Sequence, residues 1–318
     1  MANKAFRPRI ILFFLYFSLG IVSCFNESGE ARPTENNTQP AIPLTATLPF
    51  PMTSERIREE TLSPTFCPTA APSPTKTNTL APTYSPAQAQ LLIAELLLYN
   101  SGCQLPCWWG FIPGKTSWQT AQDLLARIAK EIYIPFAVDE PEFFADVVFS
   151  TPEDISSYDL THVYRVRDGL ISMIEVDPGQ VSVYSLSSIL TSYGLPSEVW
   201  IWTFREKYQN FFPFDLVLFY PEQGIMVRFD TKAIRVGDRV QGCFKSETAL
   251  AMALWSPDTI MSFLDVASIT RNIDLHEWGD PIALKKATGL ELDDFYQQFK
   301  DPNNTLCLET AADLWPPP

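Results

Sequence analysis

The chain has 318 residues, 46% of them hydrophobic, which is enough to bury a sizeable core. Its formal net charge is −14, and the acid is concentrated: residues 1–88 hold 7 basic and 6 acidic side chains, the remainder 16 and 31. A net charge of −15 beyond residue 88 repels phosphate backbones and anionic lipid heads, so nucleic acid is excluded as an expected partner.

The chain opens with Lys4, Arg7 and Arg9, followed by an apolar stretch from Ile10 to Val22. Basic, apolar, then small is the order of a secretory signal peptide. The stretch is 13 residues long, whereas a membrane span needs about 20. A short N-terminal anchor is the alternative. Ile21-Val22-Ser23-Cys24 resembles the lipobox of bacterial lipoproteins. That resemblance implies removal of residues 1–23, acylation of the Cys24 sulfur, and an extracytoplasmic, lipid-anchored location at the cell surface. Two or three acyl chains are needed for a stable anchor.

Residues 24–86 then form a segment rich in Pro, Thr, Ser, Asn and Ala, as in "PTAAPSPTKTNTLAPTYSP". Prolines at 64, 68, 72, 74, 82 and 86 remove backbone donors and favour extended geometry. Few large apolar side chains are present to offset the entropy of ordering. The segment reads as a stalk whose threonines offer sites for sugars, or as a plain disordered linker.

The body, 87–318, begins with "SPAQAQLLIAELLLYNSG", a helix capped by Ser85 and ended by Asn100 to Gly102. "PGKTSWQTAQDLLARIAKE" predicts a second helix, with Thr116 and Gln119 as a capping box and an apolar stripe at Trp118, Ala121, Leu125 and Ile128. "DVVFS" predicts a short strand. "THVYRVRDGLISMIEVD" predicts a hairpin turning at Asp168-Gly169. "SVYSLSSILTSYGLP" predicts a helix with Val183, Leu186, Leu190 and Tyr193 in one stripe and Gly194 at its end. "EVWIWTFRE" and "FDLVLFYPEQGIMVRFD" predict further strands, the latter turning at Glu222 to Gly224. One more helix is expected from Ser256-Pro257-Asp258, and another at "LELDDFYQQF". The fold class is therefore α+β: a helix-plus-antiparallel-hairpin unit occurring twice (103–180 and 181–245), then a C-terminal helical part, 246–318.

"IPGKTSWQTAQDLL" and "SLSSILTSYGLPSEVW" are similar to the helix openings and exits of small lipoproteins of outer-membrane assembly machinery. The tandem fold of secreted β-lactamase inhibitor proteins is similar as well. Both resemblances imply a protein that binds other proteins and catalyses nothing.

The body holds Cys103, Cys107, Cys243 and Cys307, and an even count outside the membrane implies two disulfides. Three pairings are open and sequence does not choose among them; Cys103–Cys107 with Cys243–Cys307 is the expectation. A four-thiolate metal site and a redox pair at "CQLPCWWG" are the alternatives, although three residues rather than two separate those cysteines. Trp108 and Trp109 either form a stacking platform for sugar or peptide or pack beneath the first sheet. Trp200 and Trp202, two apart on one strand, either present a binding surface or fill the core.

No G-x-S-x-G, H-E-x-x-H, P-loop or dinucleotide glycine pattern occurs in the sequence. His162 and His276 are the two histidines, and both read as structural. Glu175 and Asp177 share one strand face, and Asp139, Glu140 and Glu142 fall in a loop; a carboxylate pair of this kind can hydrolyse glycosides. The sequence thus reads as a tethered, non-catalytic binding module, joined to the membrane through lipid on Cys24, with an envelope protein or glycan as partner and no cofactor or metal. The alternative is a cell-envelope enzyme or glycan-binding protein that uses carboxylates and tryptophans.

Overall fold

The computed structural model describes residues 83–135, 141–207, 212–244, 247–271, 280–304 and 306–317. Helix α1, Pro86–Tyr99, starts at Ser85, whose hydroxyl accepts from the Gln88 N–H while the Gln88 side chain accepts from the Ser85 N–H. This reciprocal cap satisfies donors that the first turn leaves unpaired. Asn100, in the left-handed conformation, ends the helix. Helix α2, Trp118–Ile128, buries Trp118, Ala121, Leu125 and Ile128, the stripe that its spacing predicts. Its cap is Ser117 and not Thr116: the Ser117 hydroxyl accepts from Thr120 N–H, and Thr116 accepts from Ile112 N–H instead.

Strands β1 (Glu131–Tyr133), β2 (Glu142–Phe149), β3 (Leu160–Arg167) and β4 (Leu170–Val176) follow. The β3–β4 turn is Asp168-Gly169, both at positive φ, the conformation that matches strand twist in a two-residue hairpin. Helix α3, Leu186–Tyr193, is shorter than predicted. Ser185 caps it, so Val183 precedes the cap and is exposed, while Leu186, Ile189 and Leu190 are buried.

Next come β5 (Glu198–Thr203), β6 (Pro213–Tyr220) and β7 (Ile225–Val236). Gly224 closes the β6–β7 turn at φ 68°, and a Cβ there would lie 2.1 Å from the Trp255 carbonyl oxygen, so the position admits only glycine. Strands β8 (Arg239–Phe244) and β9 (Ala251–Trp255) were not anticipated. Ser256-Pro257-Asp258 forms a turn rather than a helix start. Helix α4, Phe263–Ile269, begins at Ser262, which shares a capping box with Asp265. The chain continues through β10 (Ile282–Ala283), α5 (Leu284–Thr288), α6 (Leu292–Phe299) and β11 (Leu306–Ala311).

The order across the sheet is β1-β2-β3-β4-β9-β7-β6-β5-β10, and β7 runs on to pair with β8, which pairs with β11. All pairings are antiparallel. The class is α+β. The expected helical part, 246–318, also supplies β9 to the middle of the sheet and two further strands. Meanders β2–β3–β4 and β5–β6–β7 lie on either side of β9, each after a helix. They differ in that β7 extends onto β8, so the topology leaves the equivalence of the two units open.

Among the described residues five helices cover one face, here called inner, where residues such as Val147, Tyr164, Ile174, Leu254, Val227 and Leu216 join α1, α2, α3, α5 and α6 in one core. On the outer face α4 places Phe263 and Val266 over Met173, Val217, Met226 and Ala253. Strand β6 is buried at every residue because both of its faces are covered. Each fully buried aliphatic side chain contributes about 1.5–3 kcal/mol relative to an exposed one.

Candidate functional site

Strand β9 has a cleft at each end. At its start, a cleft of about 230 Å³ is lined by Tyr158, Asp177, Gly179, Gln180, Asp230 and Thr248, among others. Asp177 follows the last residue of β4, and its carboxylate accepts from the Gly179 N–H at 2.9 Å. Gly179 holds φ 64° there, and a Cβ would crowd Ile155 at 3.1 Å. Asp230 lies on β7, directly opposite Asp215 of β6. Arg228, two residues before Asp230 on the same face, donates to both Asp215 oxygens at 3.3 and 3.1 Å.

Burial dominates the ionisation of this group. It raises Asp177, against the pull of the Gly179 N–H and the Tyr158 hydroxyl. It raises Asp230 despite Arg228. It pushes Asp215 up to about 6, again against Arg228 and aided by the Asp230 charge. The Tyr158 hydroxyl is raised by burial and then by the charges of Asp177 and Asp230, so it remains a neutral donor. Chemically the cleft offers two carboxyls that hold a proton more readily than usual and one phenol.

Behind the cleft lies an aromatic cluster joined to it at Asp177. The His162 Nε2 lies 3.2 Å from the Asp177 carbonyl oxygen. A carbonyl only accepts, so Nε2 carries the proton and Nδ1 is a bare acceptor. The imidazole is fully buried among Trp109 and Phe149, each 4.8 Å away between ring centroids, and Trp108 at 5.6 Å. Burial pushes its pKa down to about 3. His162 is therefore a neutral structural residue at physiological pH.

Trp108 and Trp109 are 0% and 3% exposed, so their rings belong to the core and offer no surface platform. Asn100 explains the arrangement. Its side-chain amide donates to the Cys103 and Cys107 carbonyls at 2.9 and 2.8 Å, and its oxygen accepts the Trp109 N–H at 2.7 Å. The Cys103–Cys107 disulfide closes the same loop. Trp200 and Trp202 both pack against other side chains: Trp200 stacks on Phe263 of α4 at 4.5 Å on the outer face, whereas Trp202, 3% exposed, belongs to the inner core.

The second disulfide, Cys243–Cys307, joins facing residues of β8 and β11. All four body thiols are thus consumed pairwise, and among the described residues no group of three or more His, Cys, Asp or Glu is arranged to hold a metal. Glu175 accepts the Arg271 N–H at 2.8 Å. Glu142 lies in β2 rather than a loop and pairs with Arg165 and Arg167. Cys24, Asp139, Glu140 and His276 lie outside the described residues. Sequence reasoning missed Tyr158, Asp215, Arg228 and Asp230. The available signal was a lone aspartate inside the apolar run "FDLVLFY" and the alternation of "VRFD".

Among the described residues no helix is long and apolar enough to cross a membrane. Comparison with known proteins finds no matching family model, no similar curated sequence and no similar solved structure.

Proposed function

We propose that this protein is a lipid-tethered, extracytoplasmic binding module: Cys24 carries the anchor, residues 25–82 form the stalk, and the folded body, which begins ahead of helix α1, meets a partner in the cell envelope. One observation supports the binding role best. Among the described residues one helix, α4, packs on the outer face of the sheet and lines the cleft at the end of β9, and a second cleft opens at the start of that strand. The anchor rests on the lipobox-like Ile21–Cys24. A stalk of some 60 residues, if extended, reaches on the order of 190 Å at about 3.1 Å per residue. The two helix-and-meander units would make the broad sheet a docking face. The anchor is tested by palmitate labelling: Cys24→Ser abolishes incorporation, because a hydroxyl does not take the thioether-linked lipid. Equal labelling of wild type and variant refutes the tether.

The cleft at Asp177 and Asp230 favours one second reading, an envelope hydrolase, because both carboxyls are raised by burial and face a single opening. Screening the purified chain against glycoside, peptide and ester substrates separates the two. The binding module shows no turnover. Turnover abolished by Asp177→Asn or Asp230→Asn, with circular dichroism unchanged, establishes the enzyme instead.

A further inference from the structure

The cleft at the other end of β9 has different chemistry. We propose that the groove between α4 and the β3–β4 hairpin binds a small ligand carrying one carboxylate on an apolar body. This inference is independent of the tether and of whether the Asp177 cleft is catalytic.

The groove has a volume of about 270 Å³, and Met173, Trp255, Met261 and Ile269 form its apolar wall. Ile260, in the turn before α4, is 99% exposed, and Leu264 on α4 is 58% exposed. Each adjoins a lining residue in sequence, Ile260 between Thr259 and Met261 and Leu264 before Asp265. A ligand with an apolar body covers this surface at a gain of about 25 cal/mol per Å².

The polar side of the groove is Arg165 and Arg167. Both guanidiniums turn to the same carboxylate. Arg165 gives its Nε to Glu142 Oε1, and Arg167 gives Nε and Nη2 to Oε2 at 3.3 and 3.1 Å. Burial raises the Glu142 pKa, but the two guanidiniums outweigh it and hold the carboxyl below its ordinary range, so it supplies one full negative charge. Glu142 and the groove-lining Asp265 together match the two positive charges, so it is the terminal nitrogens of Arg165 and Arg167, which remain for a further acceptor, that favour a carboxylate. Asp265 also lines the groove, but its carboxylate is engaged by the Ser262 N–H and hydroxyl at 2.9 and 2.6 Å. It admits one carboxylate and disfavours a polyanion. A cationic ligand meets two guanidiniums, and a neutral apolar one leaves them unused.

The test uses the full chain, disulfides intact, in a mild nonionic detergent, with three probes of one shape: 4-phenylbutanoate, 4-phenylbutanol and 4-phenylbutylamine. Equilibrium dialysis is expected to show saturable binding of the acid, about tenfold tighter than the alcohol and more so than the amine. Arg167→Gln, at a side chain 55% exposed, is expected to weaken the acid about fivefold and leave the alcohol unchanged. Thr259→Glu, which adds a carboxylate to the groove wall, serves as a second variant and should weaken the acid alone. The proposal is overturned by acid and alcohol binding equally, by no saturable binding of the acid, or by both variants binding it as wild type does.

Discussion

The two faces of the one sheet treat polar groups in opposite ways. On the inner face, beneath five helices, His162 is buried with one hydrogen bond and no counter-charge, and so stays neutral. On the outer face, Asp215 is 2% exposed yet stands against Arg228, while Glu142 and Asp146 meet arginines nearer the surface. The contrast shows that burial alone does not set the cost of a polar group. A neutral imidazole inside costs little until it is asked to take a proton, whereas a buried carboxylate carries its cost continuously and is offset only by its partner.

The largest effect is expected at His162. Its folded pKa, about 3, lies below the ordinary 6.5, so between those values the unfolded chain binds a proton that the folded chain refuses. Stability is intact above pH 6.5 and falls as the pH drops towards 3, by on the order of 4 kcal/mol from this residue. His162→Leu should lose some stability at pH 7, because the Asp177 carbonyl loses its donor, but should show a flatter acid limb. Urea midpoints at pH 7 and pH 4 measure both. An acid limb as steep as wild type would mean that the imidazole is solvated in the native state, and the contrast between faces would break there.

Asp215 should respond with the opposite sign and by less. Its folded pKa, about 6, lies above the ordinary 3.8, so the folded state holds the proton longer. Its contribution is fully present below pH 3.8 and is lost as the pH rises through 6, on the order of 2–3 kcal/mol. Asp215→Asn removes that slope. Asp177 and Asp230 shift in the same direction and remain in the variant, so the difference between the two urea series reports Asp215 together with its coupling to Asp230 and Arg228. Identical slopes would show that Arg228 fully offsets the burial.

The inner face was the more legible from sequence, for a physical reason. Apolar side chains recur with the period of their element, so the stripe on α2, the strands about Asp168-Gly169 and the helix at Leu292–Phe299 could be read directly. Strands β8 and β9 could not. "RVQGCF" alternates too weakly, and "AMALW" suits helix or strand equally until its place between β4 and β7 is known. The Asp177 cleft joins residues 158, 177, 230 and 248, which share no local pattern. The tryptophans were ambiguous because a large amphipathic ring serves a core or a surface. Asn100, three residues before Cys103, decides it for Trp109 by holding that backbone inward.

The smallest effect sharpens the comparison most, because Glu142 shares the outer face with Asp215 but lies nearer to water. Its side chain is 32% exposed, and its partners Arg165 and Arg167 are 17% and 55% exposed. Solvent therefore screens the pair, and two guanidiniums outweigh the desolvation of one carboxylate, holding its pKa below the ordinary 4.5. The sign accordingly reverses from that of Asp215: the contribution is present above pH 4.5 and is lost on acidification. Glu142→Gln should cost about 0.5–1 kcal/mol at pH 7 in low salt, less in high salt, and nothing below the depressed pKa. The same substitution removes the one negative charge shared by the two arginines, so 4-phenylbutanoate should bind more tightly, by about threefold or more, while 4-phenylbutanol is unaffected. A cost that exceeds that of Asp215→Asn would mean that exposure is not what separates the two carboxylates. An unchanged affinity for the acid would mean that the guanidiniums turn to Glu142 for packing alone.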